Sequence, residues 1–192
     1  MSHRPIYHVY NQGNDRRPIF IEEKNYGFFL NKVRQRFAHT ADILAYCLMP
    51  NHFHFLLVPT LQGLSPSRSR APVVNAPREE AFIQLTQLSV SVQGLLSGYA
   101  QSFNRHYGRS GSLFRQKTKM EATGQFRDDG VIIDPTQHTT NCFTYIHYNP
   151  VKANLCTHPS EWAYSSFLEY AGWLEEGEGL CNVELGRQLW GK

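Results

Sequence analysis

Apolar and polar residues alternate over residues 6–10 (IYHVY), and the β-branched and aromatic content there predicts a first strand. Residues 11–15 read as a loop, followed by Arg16, Arg17, Pro18 and the short apolar run Ile19, Phe20, Ile21. Glu22 and Glu23 open a helix, since acids favour the amino end. Phe28, Phe29, Val33 and Phe37 then recur at helical spacing and form an apolar stripe, with Lys32, Arg34 and Arg36 largely off it. Residues 43–49 (ILAYCLM) predict a second strand, Pro50-Asn51 a tight turn, and residues 52–58 (HFHFLLV) a third strand completing an antiparallel hairpin. Strand, helix, strand, strand opens a ferredoxin-like βαββαβ layout: an α+β fold, with an antiparallel sheet, helices on one face and a C-terminal extension.

Residues 61–78 break the pattern. Pro66, Pro72 and Pro77 interleave with Arg68, Arg70 and Arg78, and no continuous apolar face survives, so this stretch reads as a flexible basic insertion. Residues 79–103 predict a second long helix, with Phe82, Leu85, Leu88, Val92, Leu95, Leu96 and Tyr99 on its apolar side and Gly94 and Gly98 in its middle. Residues 126–133 fit strand or loop. Asp134-Pro135 marks a helix start, and the helix runs to Asn149, where Pro150 stops or kinks it. Trp162, Tyr164 and Tyr170 belong to a polar-aromatic segment that packs back on the domain. Residues 183–192 read as a short docked helix. The expected division is a domain over 1–170 and a tail over 171–192.

A chain of 192 residues can bury one real core. A net charge of only +3 does not identify a nucleic-acid binder; it fits a local basic face balanced by an acidic tail. Cys47, Cys142, Cys156 and Cys181 are far apart with no CxxC, which predicts free thiols in a reducing compartment. There is no run of about 18 apolar residues and no charged-then-apolar leader. A cytoplasmic protein is expected.

The chemistry begins with His52 and His54. On a strand they share one face, two residues or about 6.6 Å apart, while Phe53, Phe55 and Leu57 share the other. That spacing lets two nitrogens converge on one divalent ion, although such a pair taken alone reads as readily as packing. Residues 104–119 (NRHYGRSGSLFRQKTK) interleave Arg105, Arg109, Arg115, Lys117 and Lys119 with aromatics and glycines. Such a stretch either neutralises phosphates and stacks on bases or is a solvated basic loop. Arg16 and Arg17 are weaker candidates beside the first strand's end. Tyr145 and Asn149 lie four apart, on one face of the last helix. A tyrosine can attack a phosphodiester covalently, but its ordinary pKa of about 10 means the site must help remove the proton. Two neutral imidazoles and an amide would leave an ion's charge nearly undiluted. That suits Mg2+ or Mn2+ better than zinc, for which thiolates and the usual carboxylate are missing. The same residues also read as a core tyrosine anchored by its ring and an asparagine capping the turn before Pro150. Tyr148, three positions from Tyr145, is the reserve nucleophile, and His147 faces elsewhere.

Five blocks in order, YHVYNQGNDRRPIF, LAYCLMPNHFHFLLVP, NRHYGRSGSLFRQKTK, YIHYNPVKANL and WAYSS, span roughly residues 3–170. Together they resemble the IS200-like transposase family of HUH single-strand DNA transposases, in the branch of REP-associated tyrosine transposases. The resemblance implies a ferredoxin-like fold. It implies that His52 and His54 match the cation-binding His-hydrophobic-His pair, Tyr145 the nucleophile that opens the Y-I-x-x-N-P block, and Asn149 the third metal ligand. The implied activity is metal-dependent single-stranded DNA cleavage and strand transfer beside DNA hairpins, through a 5′-phosphotyrosyl intermediate. The implied cofactor is Mg2+ or Mn2+, the partner is single-stranded DNA with a palindromic hairpin, and the active species is a monomer in the bacterial nucleoid. Arg105, Arg109, Arg115, Lys117 and Lys119, with Arg16 and Arg17, would contact the DNA. Two other readings stand beside it. One is a hairpin-binding protein that no longer cleaves and serves regulation or DNA organisation. The other is a small metallohydrolase, which leaves the basic-aromatic segment without a purpose.

Overall fold

The computed structural model describes residues 3–72, 82–134, 136–174 and 178–190. The alternating segment forms β1 (His3–Gln12), which extends through the stretch expected to be loop at Asn11. α1 (Glu23–Phe37) starts where the two glutamates stand. Glu22 and Asn25 form a reciprocal capping box that satisfies the first free amides. β2 (Ala41–Met49) and β3 (His52–Pro59) make the predicted hairpin across Pro50 and Asn51.

The excursion after β3 departs from the expected unstructured loop in its first part. It contains a single turn, α2 (Leu61–Leu64), and β4 (Pro66–Pro72), which pairs antiparallel with β5 (Phe82–Thr86). Positions 73–78, including Pro77 and Arg78, lie outside the described residues. The second long helix, α3, therefore spans Gln87–His106 rather than starting at 79. Residues 82–86 (FIQLT) are strand formers, and the Thr86 hydroxyl caps α3 by accepting from the Ser89 amide. β6 (Lys119–Arg127) and β7 (Ile132–Ile133) resolve the ambiguous segment as a hairpin. α4 (His138–Lys152) begins four residues after Asp134. The Asp134 carboxylate still serves as its cap, accepting from the Thr139 and Thr140 amides at 3.1 and 2.8 Å. Pro150 does not stop α4. It sits in the last turn, where losing one amide donor affects a helix that ends two residues later.

The main sheet runs β2-β3-β1-β6-β7, antiparallel throughout, and its first four strands reproduce the ferredoxin-like order. One face carries α1 and α3 over Val9, Phe53, Phe55, Leu57, Phe29 and Tyr99. The second face is not left open. α4 packs over Leu44, Cys47, Met49 and Leu56 through Cys142, Phe143 and Ile146, joined by α5 (Phe167–Tyr170) and α6 (Val183–Gly186). Leu185 and Leu189, beyond residue 170, belong to this core.

β2 is an edge strand, but its outer edge is occupied. The Leu48 amide donates to Tyr164 O, the Ser166 amide to Tyr46 O, and the Trp162 indole to Leu48 O at 2.9, 3.0 and 3.0 Å. All four cysteines are free thiols. Among the described residues no helix is long and apolar enough to cross a membrane.

Phe29 is fully buried, with Phe20, Phe53, Phe55 and Tyr99 rings around it. Phe29→Ala should destabilise the fold by about 3–5 kcal/mol, measured by urea unfolding. A loss under about 1 kcal/mol would mean that this aromatic cluster is not the main core.

Candidate active site

The β1–β3 register places Gln12 opposite His52, Tyr10 opposite His54 and His8 opposite Leu56, so these side chains share the α4 face of the sheet. Phe53 and Phe55 consequently point to the α1–α3 core. The turn before His52 is held from outside. The Gly13 amide donates to Asn51 O, and the Ile19 and Phe20 amides both donate to Pro50 O. Gly13 is required there by space, because a Cβ would overlap the Arg17 carbonyl oxygen.

An open cleft of about 250 Å³ is lined by Tyr10, Asn11, Gln12, His52, His54, Arg115, Lys117, Lys119 and Tyr145. The structure therefore brings the His pair, the helix tyrosine and three of the predicted basic residues to one place. The segment from 113 to 118 is led there by the end of β1. The Arg115 amide donates to Gln12 O, and the buried Asn11 amide group donates to Arg115 O and Thr118 Oγ1 at 3.1 and 2.9 Å. The Tyr145 ring is 37% exposed, packs edge-on against His54 with centroids 5.4 Å apart, and has the Lys152 ammonium 5.0 Å from its centroid. It is not a core tyrosine.

The protonation of His52 follows from its neighbours. The Asn51 side-chain NH2 donates to Arg16 O at 3.1 Å, which aims its Oδ1 at His52 Nδ1, 2.6 Å away. Oδ1 only accepts, so Nδ1 carries the hydrogen and Nε2 keeps its lone pair. The His52 and His54 rings are perpendicular with centroids 5.1 Å apart. His54 Nε2 is buried with no hydrogen-bond partner. Burial, then the neighbouring His52 and His8, pushes His54 down to about 2, and burial lowers His52 also. Both imidazoles are thus neutral at physiological pH, as metal ligation requires. Among the described residues no three His, Cys, Asp or Glu side chains converge on one point. A cation here would draw on the two imidazoles and neutral oxygens, so the donor set fits a divalent ion that completes its coordination with water.

Asn149, one turn beyond Tyr145, is buried and does not line the cleft. Its Nδ2 has no partner. The unpartnered atom is a donor, so the amide must turn over to offer oxygen at that point. Tyr148 is exposed but lines a different pocket, with Thr144, His147 and Trp190, so α4 separates it from the His pair. Arg105 and Arg109 lie around the end of α3 and do not line the cleft, Arg109 resting 5.7 Å from the Phe103 ring. Arg16 and Arg17 are exposed in the loop behind the β2–β3 turn, and Arg17 pairs with Asp15 at 3.7 Å.

No protein-family profile matches the sequence, and no curated protein matches it. A solved structure of a REP-associated tyrosine transposase bound to a REP hairpin does match by shape, with TM-score 0.54, covering 94% of this chain and 83% of that one at 15% identity. The two chains share a fold. At this identity the likeness extends to the path of the backbone and the order of its elements.

Sequence reasoning passed over His8, Tyr10, Asn11 and Gln12. The signal for the first two was present: the alternation of β1 puts His8 and Tyr10 on one face, and a hairpin partner carrying two histidines made that face the one to inspect.

His147 is buried among Phe143, Tyr170 and Trp190, with Nε2 2.8 Å from Ser166 Oγ, and burial lowers it to about 3. An unfolded imidazole protonates near about 6.5. The unfolded chain therefore takes up the proton first, and stability is full above that pH and is lost as pH falls toward 3. His147→Gln keeps a hydrogen-bonding group near Ser166 but cannot titrate. In metal-free buffer its unfolding free energy should vary less steeply between about pH 6 and about pH 4, by close to one proton. Identical slopes would show that His147 protonates within the fold.

Proposed function

We propose that this chain is a metal-dependent single-stranded DNA endonuclease and strand transferase, acting beside DNA hairpins through a 5′-phosphotyrosyl intermediate. The observation that carries the reading is the meeting of His52, His54 and Tyr145 in one cleft rimmed by Arg115, Lys117 and Lys119. A hydrolase acting without a covalent step could use the same tyrosine only as a hydrogen-bond donor or acid, and would leave no protein–DNA adduct. The neighbour of the same fold is described as bound to a REP hairpin, which favours a hairpin-bearing DNA as the partner here.

In this reading His52 and His54 would present Nε2 lone pairs, and Asn149, which does not line the cleft and whose unpartnered atom is a donor, would complete the protein's share of the ligands only after its amide turns over. A divalent ion, Mg2+ or Mn2+, would supply positive charge against the charge that develops on the phosphate oxygens. Tyr145, which is partly exposed, passes its proton to solvent water as its Oη attacks phosphorus. The O–P bond forms as the bond to the 3′-oxygen breaks, and that oxygen leaves as a 3′-hydroxyl after taking up a proton. Lys152 places positive charge beside the ring whose oxygen carries the developing charge. Attack by another 3′-hydroxyl reverses the step, so the bond energy is conserved and no nucleotide hydrolysis is required. Arg115, Lys117 and Lys119 hold the strand by its phosphates. Arg105, Arg109, Arg16 and Arg17, which do not line the cleft, would grip the hairpin or its flank.

Incubation with single-stranded hairpin DNA and Mn2+, followed by denaturing gel electrophoresis, should reveal a covalent protein–DNA adduct. Tyr145→Phe should abolish the adduct and retain hairpin binding, while Tyr148→Phe leaves both. An adduct that persists in Y145F moves the nucleophile elsewhere. Tight hairpin binding with no adduct across hairpins and divalent ions supports the non-cleaving binder instead.

Arg115→Ala, Lys117→Ala and Lys119→Ala should each lower the slope of log affinity against log salt by about 0.7 to 0.9, measured by fluorescence anisotropy. Unchanged slopes would place the strand elsewhere on the surface.

A further inference from the structure

His8 is a buried titratable group to which the proposed chemistry assigns no part. Its Nε2 lies 2.9 Å from His54 Nδ1, and the two rings meet edge to edge, with centroids 5.1 Å apart and planes 23° from parallel. Both residues are buried, at 8% and 6% exposure, so solvent does not compete for this hydrogen bond. The other nitrogen of His8, Nδ1, faces Cys142 Sγ at 3.9 Å. A line of contacts thus runs from α4, the helix that carries Tyr145, through β1 to the central histidine of β3. Glu121 stands beside His8 across the sheet, but its Oε1 accepts from the Tyr10 hydroxyl at 3.0 Å.

We infer that His8 is the positioning residue for His54: His8 Nε2 accepts from His54 Nδ1–H, which holds the His54 Nε2 lone pair bare toward the cleft for a divalent cation. The inference rests on the cation reading of the His pair given above. The hydrogen bond has only two possible directions. Were His8 the donor, His54 would carry its hydrogen on Nε2, which is buried without an acceptor. Folded proteins avoid such an orphaned N–H more strictly than an under-used lone pair, and a protonated Nε2 cannot ligate a metal. With His8 as acceptor the unpartnered atom becomes a lone pair, which a cation would satisfy.

His52 reaches the same state by a different device, with Asn51 Oδ1 accepting from its Nδ1–H. Both imidazoles of the pair are then locked in one tautomer, each by an acceptor behind it, which is the usual outer support of a metal-ligating histidine. His8 in turn carries its own hydrogen on Nδ1, pointing at the Cys142 sulfur.

The test has two arms. In metal-free protein labelled with 15N-histidine, long-range proton–nitrogen correlation should show His54 with Nδ1 protonated and Nε2 bare. His8→Phe should shift His54 toward the other tautomer and weaken Mn2+ binding, measured by calorimetry, by about 10- to 100-fold. His8→Gln, whose amide oxygen can accept at the place of Nε2, should restore both. A wild-type His54 protonated on Nε2 overturns the inference, and so does Mn2+ affinity that is unchanged in H8F. Wild-type protein with Nδ1 protonated that binds no Mn2+ overturns the cation reading, and with it the purpose assigned to His8. The tautomer signal tells these failures apart.

Discussion

A strand turns successive side chains to opposite faces, so β3 can give phenylalanines to one core and imidazoles to the other side only while its register holds. Slipped by one residue against β1, His52 and His54 would lie beneath α1 and α3, and Phe53 and Phe55 would face the cleft. The register is over-determined. β2 and β1 flank β3 on both sides, and loop amides from Gly13, Ile19 and Phe20 clamp the turn that starts it. The apolar face of β3 contributes most of the energy that fixes the strand. The polar face takes its geometry from that packing, and so the site is built on sheet rather than on loop.

The cleft is electrostatically uneven. Its floor is neutral imidazole, kept so by burial, and its rim is cationic through Arg115, Lys117 and Lys119. A floor of carboxylates would have offset the positive rim, and a floor of imidazolium would offer no lone pairs. Neutral donors beneath positive charge give the cleft lone pairs at its floor and a positive potential at its mouth. The larger cleft between α1 and α3, about 330 Å³, is lined by Phe28, Tyr99 and Phe103 together with Lys24, Asn25, Ser102 and His106, and holds a single histidine.

How much of this could be read from the chain varies with the range of the interaction responsible. β1, α1 and the β2–β3 hairpin were legible because their periods are local and their breaks sharp, and the face shared by His52 and His54 followed from alternation alone. The start of α3 was misplaced because Glu79, Glu80 and Phe82 fit a helical stripe, while the pairing of 82–86 with 66–72 is a contact between segments that propensity does not see. Pro150 signals a stop or a kink by its chemistry alone, and its place within the final turn depends on where α4 ends. His8 escaped notice for a similar reason: its partner is 46 residues away, and nothing in HVY announces which imidazole it supports. The convergence of Tyr145 on the His pair likewise depends on α4 crossing the second face of the sheet. Composition and spacing offered no view of that; it came only through likeness to a family.

The bonds from Tyr164, Ser166 and Trp162 to the outer edge of β2 make the C-terminal stretch a substitute for a sixth strand. Unsheathed, the backbone of Tyr46 and Leu48 would present a row of free donors and acceptors on a highly apolar segment, the kind of edge to which other chains attach. A chain that ended before Trp162 would keep every cleft residue named above yet bare this edge, so protection from edge-to-edge pairing rests on a segment that does not line the cleft.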